Sequence, residues 1–167
     1  DIYEHQHRRF LEFGPKAVGR YTAPEVTPHV ATGYICSELK ITGPNSTLSS
    51  GCSSGLDIVN WGYSMIRGGE VDMAVVGCAD SMIFPFAMST FCSLGILSKR
   101  NEEPEKASRP YDNDRDGLVA SEGGVSIVVE DLNHALERDA NIYAEIVSYA
   151  TACEAQDVFH VELNGKT

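Results

Sequence analysis

Apolar and polar positions alternate along the chain in runs that predict helices interleaved with strands. Residues 1–13 predict a helix ending at Gly14-Pro15. Thr27-Pro28 predicts a second helix start, a capping hydroxyl followed by proline at the first helical position. Val30, Tyr34 and Ile35 carry its apolar face toward Leu39. Gly43-Pro44 turns the chain, and residues 46–50 (STLSS) predict a short strand. From Ser53 to Arg67, Leu56, Val59, Tyr63 and Ile66 fall at helical spacing, while Ile58, Trp61 and Met65 add apolar surface elsewhere. A helix apolar on several faces is expected to be buried. Asp57 near its start and Arg67 near its end suit the helix dipole, and Gly68-Gly69 stops it.

Val71 to Cys78 and Gly124 to Val129 are apolar runs that predict buried strands. Residues 81–97 are mixed, with Pro85 as an interruption, and residues 100–117 are polar and rich in turn formers. A short helix is predicted from Asp131 to Arg138 and a further strand from Ile142 to Tyr149. The succession predicts an α/β layered fold, with no internal repeat or inter-domain linker.

Composition narrows the function. Of 167 residues, 43% are hydrophobic, enough for a core. A formal net charge of -11 argues against nucleic-acid binding and against anionic membrane surfaces. No apolar run reaches bilayer-spanning length. The charged first residues do not form a signal peptide and no Met begins the chain, which is expected to be part of a longer one. Five cysteines, an odd number without C-x-x-C spacing, argue against a disulfide framework or a metal site and fit a reducing cytoplasm. Cys36, Cys78, Cys92 and Cys153 are expected to be small buried side chains.

The stretch Ser49-Ser50-Gly51-Cys52-Ser53-Ser54-Gly55 carries the clearest chemistry. It leads into a helix, so a thiolate at Cys52 would meet the positive end of the dipole and free backbone N–H groups. Those N–H groups suit a developing oxyanion, and the small neighbours admit a substrate close to the sulfur. A packed strand-to-helix turn is the plainer reading of the same residues. Gly51, Ser53 and Gly55 also fit G-x-S-x-G, the serine-hydrolase elbow, with Asp114 and then His134 or His160 downstream. The shortness of the chain and the lack of an upstream HGGG-type loop weigh against that alternative.

Read together, several stretches resemble the β-ketoacyl synthase (ketosynthase) family, in particular its elongating type. Ser50-Gly51-Cys52-Ser53-Ser54-Gly55 is similar to its nucleophile signature, and Gly43-Pro44-Asn45 to the turn upstream of it. Ile66 to Asp72, Val76 to Asp80 and Leu97 to Asn101 resemble further family stretches. Ala107-Ser108-Arg109-Pro110-Tyr111-Asp112, then Arg115-Asp116-Gly117 and Glu122-Gly123, resemble a long and specific family motif. The likeness runs from about Gly14 to Asn164.

The resemblance implies a thiolase-like α-β-α-β-α fold, of which residues 1–167 would be a partial ketosynthase domain. The start of the N-terminal half and most of the C-terminal half would lie outside it, and the chain alone would be inactive. It implies acyl transfer from an acyl carrier protein to Cys52, then decarboxylative condensation with malonyl carrier protein. No cofactor of the enzyme's own is implied; substrates ride on the carrier's phosphopantetheine. The expected partners are the acyl carrier protein, a second ketosynthase subunit (homodimer or ketosynthase-like heterodimer, with residues 46–50 at the two-fold) and the rest of the domain.

By the same resemblance, Cys52 is the nucleophile and its N–H half of the oxyanion hole. Phe91 lies near the acyl pocket, and Lys16 is a carrier-protein contact. Arg109, Asp112, Arg115, Asp116 and Glu122 form a buried charge and turn network. The two catalytic histidines of the family match none of His5, His7, His29 or His134, and His160 resembles a non-catalytic one. Residues 89–95, Glu162 and an enlarged 152–157 stretch depart from the family pattern. A non-catalytic dimer scaffold or chain-length partner is a further alternative, against which the retained Cys52 argues.

Overall fold

The computed structural model describes residues 2–155 and 164. His160, Glu162, Gln156 and Asp157 lie outside the described residues. Helix α1 (Ile2–Phe13) is followed by a 3-10 turn (Pro15–Ala17), a single-turn helix α2 (Thr22–Glu25) and α3 (Val30–Leu39). Then come α4 (Ser54–Arg67), strand β1 (Met73–Asp80), α5 (Pro85–Leu94), a 3-10 turn (Pro104–Lys106), β2 (Gly123–Glu130) and α6 (Leu132–Glu137).

The two strands pair antiparallel, from Met73 opposite Glu130 to Asp80 opposite Gly123. Helix α4 packs across this pair. A methyl group on Gly62 would stand 2.8 Å from Val76 Cγ1 and 3.0 Å from Val129 Cγ2, so glycine lets the helix backbone close onto the sheet. Val76 is 3% exposed there, and Val129 is likewise buried. Asp131 caps α6 by accepting from the N–H groups of Asn133 and His134, at 2.9 and 3.2 Å. That cap turns the chain directly out of β2.

Several expectations are corrected. Residues 46–50 form no strand beyond an isolated bridge at Ser50, and residues 142–149 form none. Extended backbone becomes a strand only with a ladder partner, and neither segment has one among the described residues. Pro85 does not interrupt structure but begins α5, where its missing N–H costs nothing. Helix α3 starts at Val30, because the Thr27 hydroxyl donates to the Pro24 carbonyl at 2.6 Å and closes α2 instead of capping α3. Helix α4 is not enclosed: Gly62 is its one buried residue, and Leu56 is 70% exposed. A two-stranded sheet covers one stripe of a helix and leaves the other apolar faces open. For the same reason Cys78, Cys92 and Cys153 are exposed and Cys36 half-buried, where small buried side chains are expected.

Candidate active site

Cys52 sits in the turn between an extended segment and the N-terminus of α4. Gly51 takes φ +71°, a left-handed conformation that side chains resist, and this swings the chain into the helix. The Ser54 hydroxyl crosses the turn, accepting from the Ser50 N–H at 2.8 Å and donating to the Gly51 carbonyl at 2.7 Å. The Ser54 N–H donates to the Gly51 carbonyl as well, and the Asp57 N–H to the Ser53 carbonyl. Cys52 is exposed, at the mouth of a groove of about 300 Å3. Leu56 and Val59 of α4, Val76 and Cys78 of β1, and Val125 and Ile127 of β2 line that groove. A thiol at the edge of an apolar trough could take an acyl group with a hydrocarbon tail.

Asp57 is the polar hub beneath the turn. One oxygen of its carboxylate accepts from the Ser50 hydroxyl and lies 3.2 Å from the Ser53 hydroxyl. The other accepts from the Tyr149 hydroxyl. Hydrogen bonds from Ser50 and then Tyr149 hold the Asp57 carboxyl below its ordinary range, against a smaller opposing effect of burial. The bond to Asp57 and burial together push the Tyr149 phenol up. Sequence reasoning gives Asp57 only a dipole role and Tyr149 a place in a strand. No spacing signal links two residues 92 positions apart.

The remaining predicted site residues are spread out. Phe91 lies on α5 and borders a second groove of about 560 Å3 with Phe86, Thr90 and Leu94, whose lining shares no residue with that of the Cys52 groove. Lys16 is exposed on the 3-10 turn after α1.

The charged motif is a chain of turns but not a buried one, since Asp112, Arg115, Asp116 and Glu122 are exposed and Arg109 is half-buried. Arg109 Nε lies 3.8 Å from Asp112 Oδ2, and the Arg115 guanidinium donates to the Asp112 carbonyl at 2.7 Å. Asp116 accepts from the Ser98 hydroxyl at 2.7 Å and the Lys99 N–H at 3.0 Å, with Arg100 Nε at 3.6 Å. Glu122 accepts from the Ser81 hydroxyl and the Ile83 N–H at 2.8 and 3.0 Å, tying the entry to β2 to the segment after β1.

Among the described residues the serine-hydrolase arrangement is not assembled; His160 lies outside them. The Ser53 hydroxyl faces Asp57 and the Ser50 carbonyl, each at 3.2 Å. His134 pairs through Nδ1 with Glu130, which Arg138 also grips. No group of three or more His, Cys, Asp or Glu capable of holding a metal occurs among the described residues. No helix of the described residues is long and apolar enough to cross a membrane.

Comparison with known proteins agrees with this geometry. The family model "Beta-ketoacyl synthase, N-terminal domain" matches residues 3–135. The chain is similar to 3-oxoacyl-[acyl-carrier-protein] synthase 2 of Vibrio cholerae, 36% identical over 155 residues, 93% of this chain and 37% of that protein. It is similar in structure to a ketosynthase/chain length factor of ishigamide synthesis, with TM-score 0.81 and 30% identity over 92% of this chain and 37% of the other. A type II polyketide acyl carrier protein in complex with its ketosynthase gives TM-score 0.81 and 26% identity, over 85% of this chain and 36% of the other. The chain thus spans little more than a third of the length of the relatives it matches, and its fold is part of the thiolase-like ketosynthase fold.

Proposed function

This chain belongs to the β-ketoacyl synthase family, and on that footing we propose that Cys52 is the acyl-accepting thiol of a condensing enzyme of fatty-acid or polyketide synthesis. The observation that carries the proposal is the exposed Cys52 sulfur at the helix start, set against the apolar groove between α4 and the sheet.

The first half-reaction is thioester exchange. The Cys52 thiolate attacks the acyl carbonyl of a carrier-bound thioester, and the developing oxyanion is held by backbone N–H groups, that of Cys52 among them. Collapse breaks the bond to the carrier's sulfur, which leaves as the phosphopantetheine thiol once protonated. In the second half-reaction malonyl carrier protein loses carbon dioxide. Its carbanion attacks the acyl-Cys52 carbonyl and expels the Cys52 thiolate, giving a β-ketoacyl thioester longer by two carbons. This step uses a histidine pair that the resemblance places outside these 167 residues.

The acyl chain runs along the groove beside Leu56, Val59 and Ile127, Phe91, which the family resemblance sets near the acyl pocket, borders the separate groove on α5, and Lys16 meets the carrier protein. A ketosynthase-like subunit, identical or not, completes the assembly, a reading supported by the likeness to a ketosynthase/chain length factor. The arginine and carboxylate turns around Arg109, Asp112, Arg115, Asp116 and Glu122 hold the loops that frame the site. The test is a condensation assay with acyl and malonyl carrier protein. Cys52→Ala abolishes β-ketoacyl product, whereas Ser53→Ala, which keeps the thiol, still forms it at a reduced rate; product formation by Cys52→Ala at the wild-type rate overturns the assignment.

A further inference from the structure

The turn that carries Cys52 is held by side chains and local turn bonds rather than by a strand ladder. Its residues are small, Gly51 has a left-handed backbone, and no strand ladder runs beside it among the described residues. Beside the Ser54 hydroxyl, Asp57 holds it. Ser50 and Ser53 flank the Gly51-Cys52 pair, and both direct their hydroxyls to Asp57 Oδ2. Tyr149 comes from a segment without helix or strand, 92 positions on, and its hydroxyl fixes Asp57 Oδ1 from the far side. A carboxylate serves here because it only accepts, and all three partners are hydroxyl donors.

We propose that Asp57 and Tyr149 are positioning residues for Cys52, acting through Ser50 and Ser53 to aim the sulfur and the turn's N–H groups at the thioester carbonyl. This inference rests on the reading of Cys52 as the acyl acceptor. Acyl transfer needs the sulfur and the oxyanion donors placed together, whereas alkylation by a small reagent needs only an accessible thiol. The two reactions therefore separate aim from exposure.

The experiment compares the full chain with its Asp57→Asn, Tyr149→Phe and doubly substituted forms. Each is assayed for Cys52 acylation by acetyl- and octanoyl-acyl carrier protein, for alkylation by iodoacetamide, and for melting temperature. Each single substitution is expected to lower the maximal acylation rate about tenfold or more, with the half-saturating carrier concentration unchanged. Alkylation is expected to stay within about twofold. The double variant is expected to lose no more than the worse single one, because both act on one brace. The inference is overturned if acylation falls only in step with alkylation. It is equally overturned if acylation keeps its wild-type rate in Asp57→Asn and Tyr149→Phe, whether or not the melting temperature drops. Failure of the underlying reading looks different: the unsubstituted chain then takes no acyl group on Cys52, and both proposals fall.

Discussion

The Tyr149 hydroxyl donates to the Asp57 carboxylate across 92 positions of sequence, and so joins the segment after α6 to the helix that starts at the Cys52 turn. The bond raises the phenol's ionisation and, with Ser50, lowers the carboxyl's. The two signs bracket a pH window. Asp57 is depressed, so its contribution is full above its ordinary 3.8 and is lost as pH falls through its lower folded value. Tyr149 is raised, so its contribution is full below its ordinary 10.0 and is lost as pH climbs through its higher folded value. A spectrophotometric titration of tyrosinate reads the upper limb. Tyr149→Phe is expected to remove one ionisation from its high-pH end; loss of an ionisation near the ordinary tyrosine value would contradict the hydrogen bond.

Gly62 sets how closely α4 approaches the sheet. Gly62→Ala puts a methyl group 2.8 Å from Val76 Cγ1, inside contact distance, against buried side chains that have little room to retreat. The helix must lift, at an expected cost of about 1–3 kcal/mol. A urea midpoint lowered without a change of slope confirms this, and an unchanged midpoint contradicts it.

Glu130 closes β2 onto α6. Arg138 grips it through two parallel bonds of 2.7 Å, and His134 adds a third contact. The Arg138 bonds, first among several causes, pull its ionisation from an ordinary 4.5 down to about 2. A depressed carboxylate contributes fully above its ordinary value and loses that contribution as pH falls through its folded one. Stability is therefore expected to decline between pH 4.5 and about 2 in part through this group. Denaturation midpoints measured across that window should show a shallower acid limb in Arg138→Gln than in the wild type. Equal slopes would show that the pair is not formed in solution.

Much of this fold is legible in the chain itself. The Cys52 turn, the α4 helix and both paired strands are written in local patterns: small residues around Cys52, helical periodicity after it, and apolar runs at 71–78 and 124–129. The family is legible only in the resemblance of whole motifs, and the two strands, expected to be buried, bury only Val76 and Val129. Local patterns do not hold the relationships between distant segments. Residues 46–50 and 142–149 have strand-like composition, but a strand is a property of two segments, and neither finds a ladder partner among the described residues. Pro85 reads as a breaker or as a helix start depending on the residues after it, and their 3.6-residue rhythm is weak. The charged motif from Arg109 to Glu122 is expected to be buried only through the motif resemblance, and charged side chains in turns are mostly exposed. Its partners include backbone groups of exposed loops, such as the Lys99 and Ile83 N–H groups, which no sequence pattern marks. Tyr149 carries no signal in the sequence for the same reason, since its meaning depends wholly on Asp57.

The central claim is that Cys52 takes the acyl group. Its most direct measurement is mass spectrometry of the full chain after incubation with an acyl-carrier-protein thioester, under reducing conditions and with the modified peptide mapped. One acyl adduct on Cys52, absent from Cys52→Ala, is the predicted result. A reduced Cys52 that stays unmodified contradicts the claim, and an adduct on Ser53 would replace it with a serine acyl-enzyme.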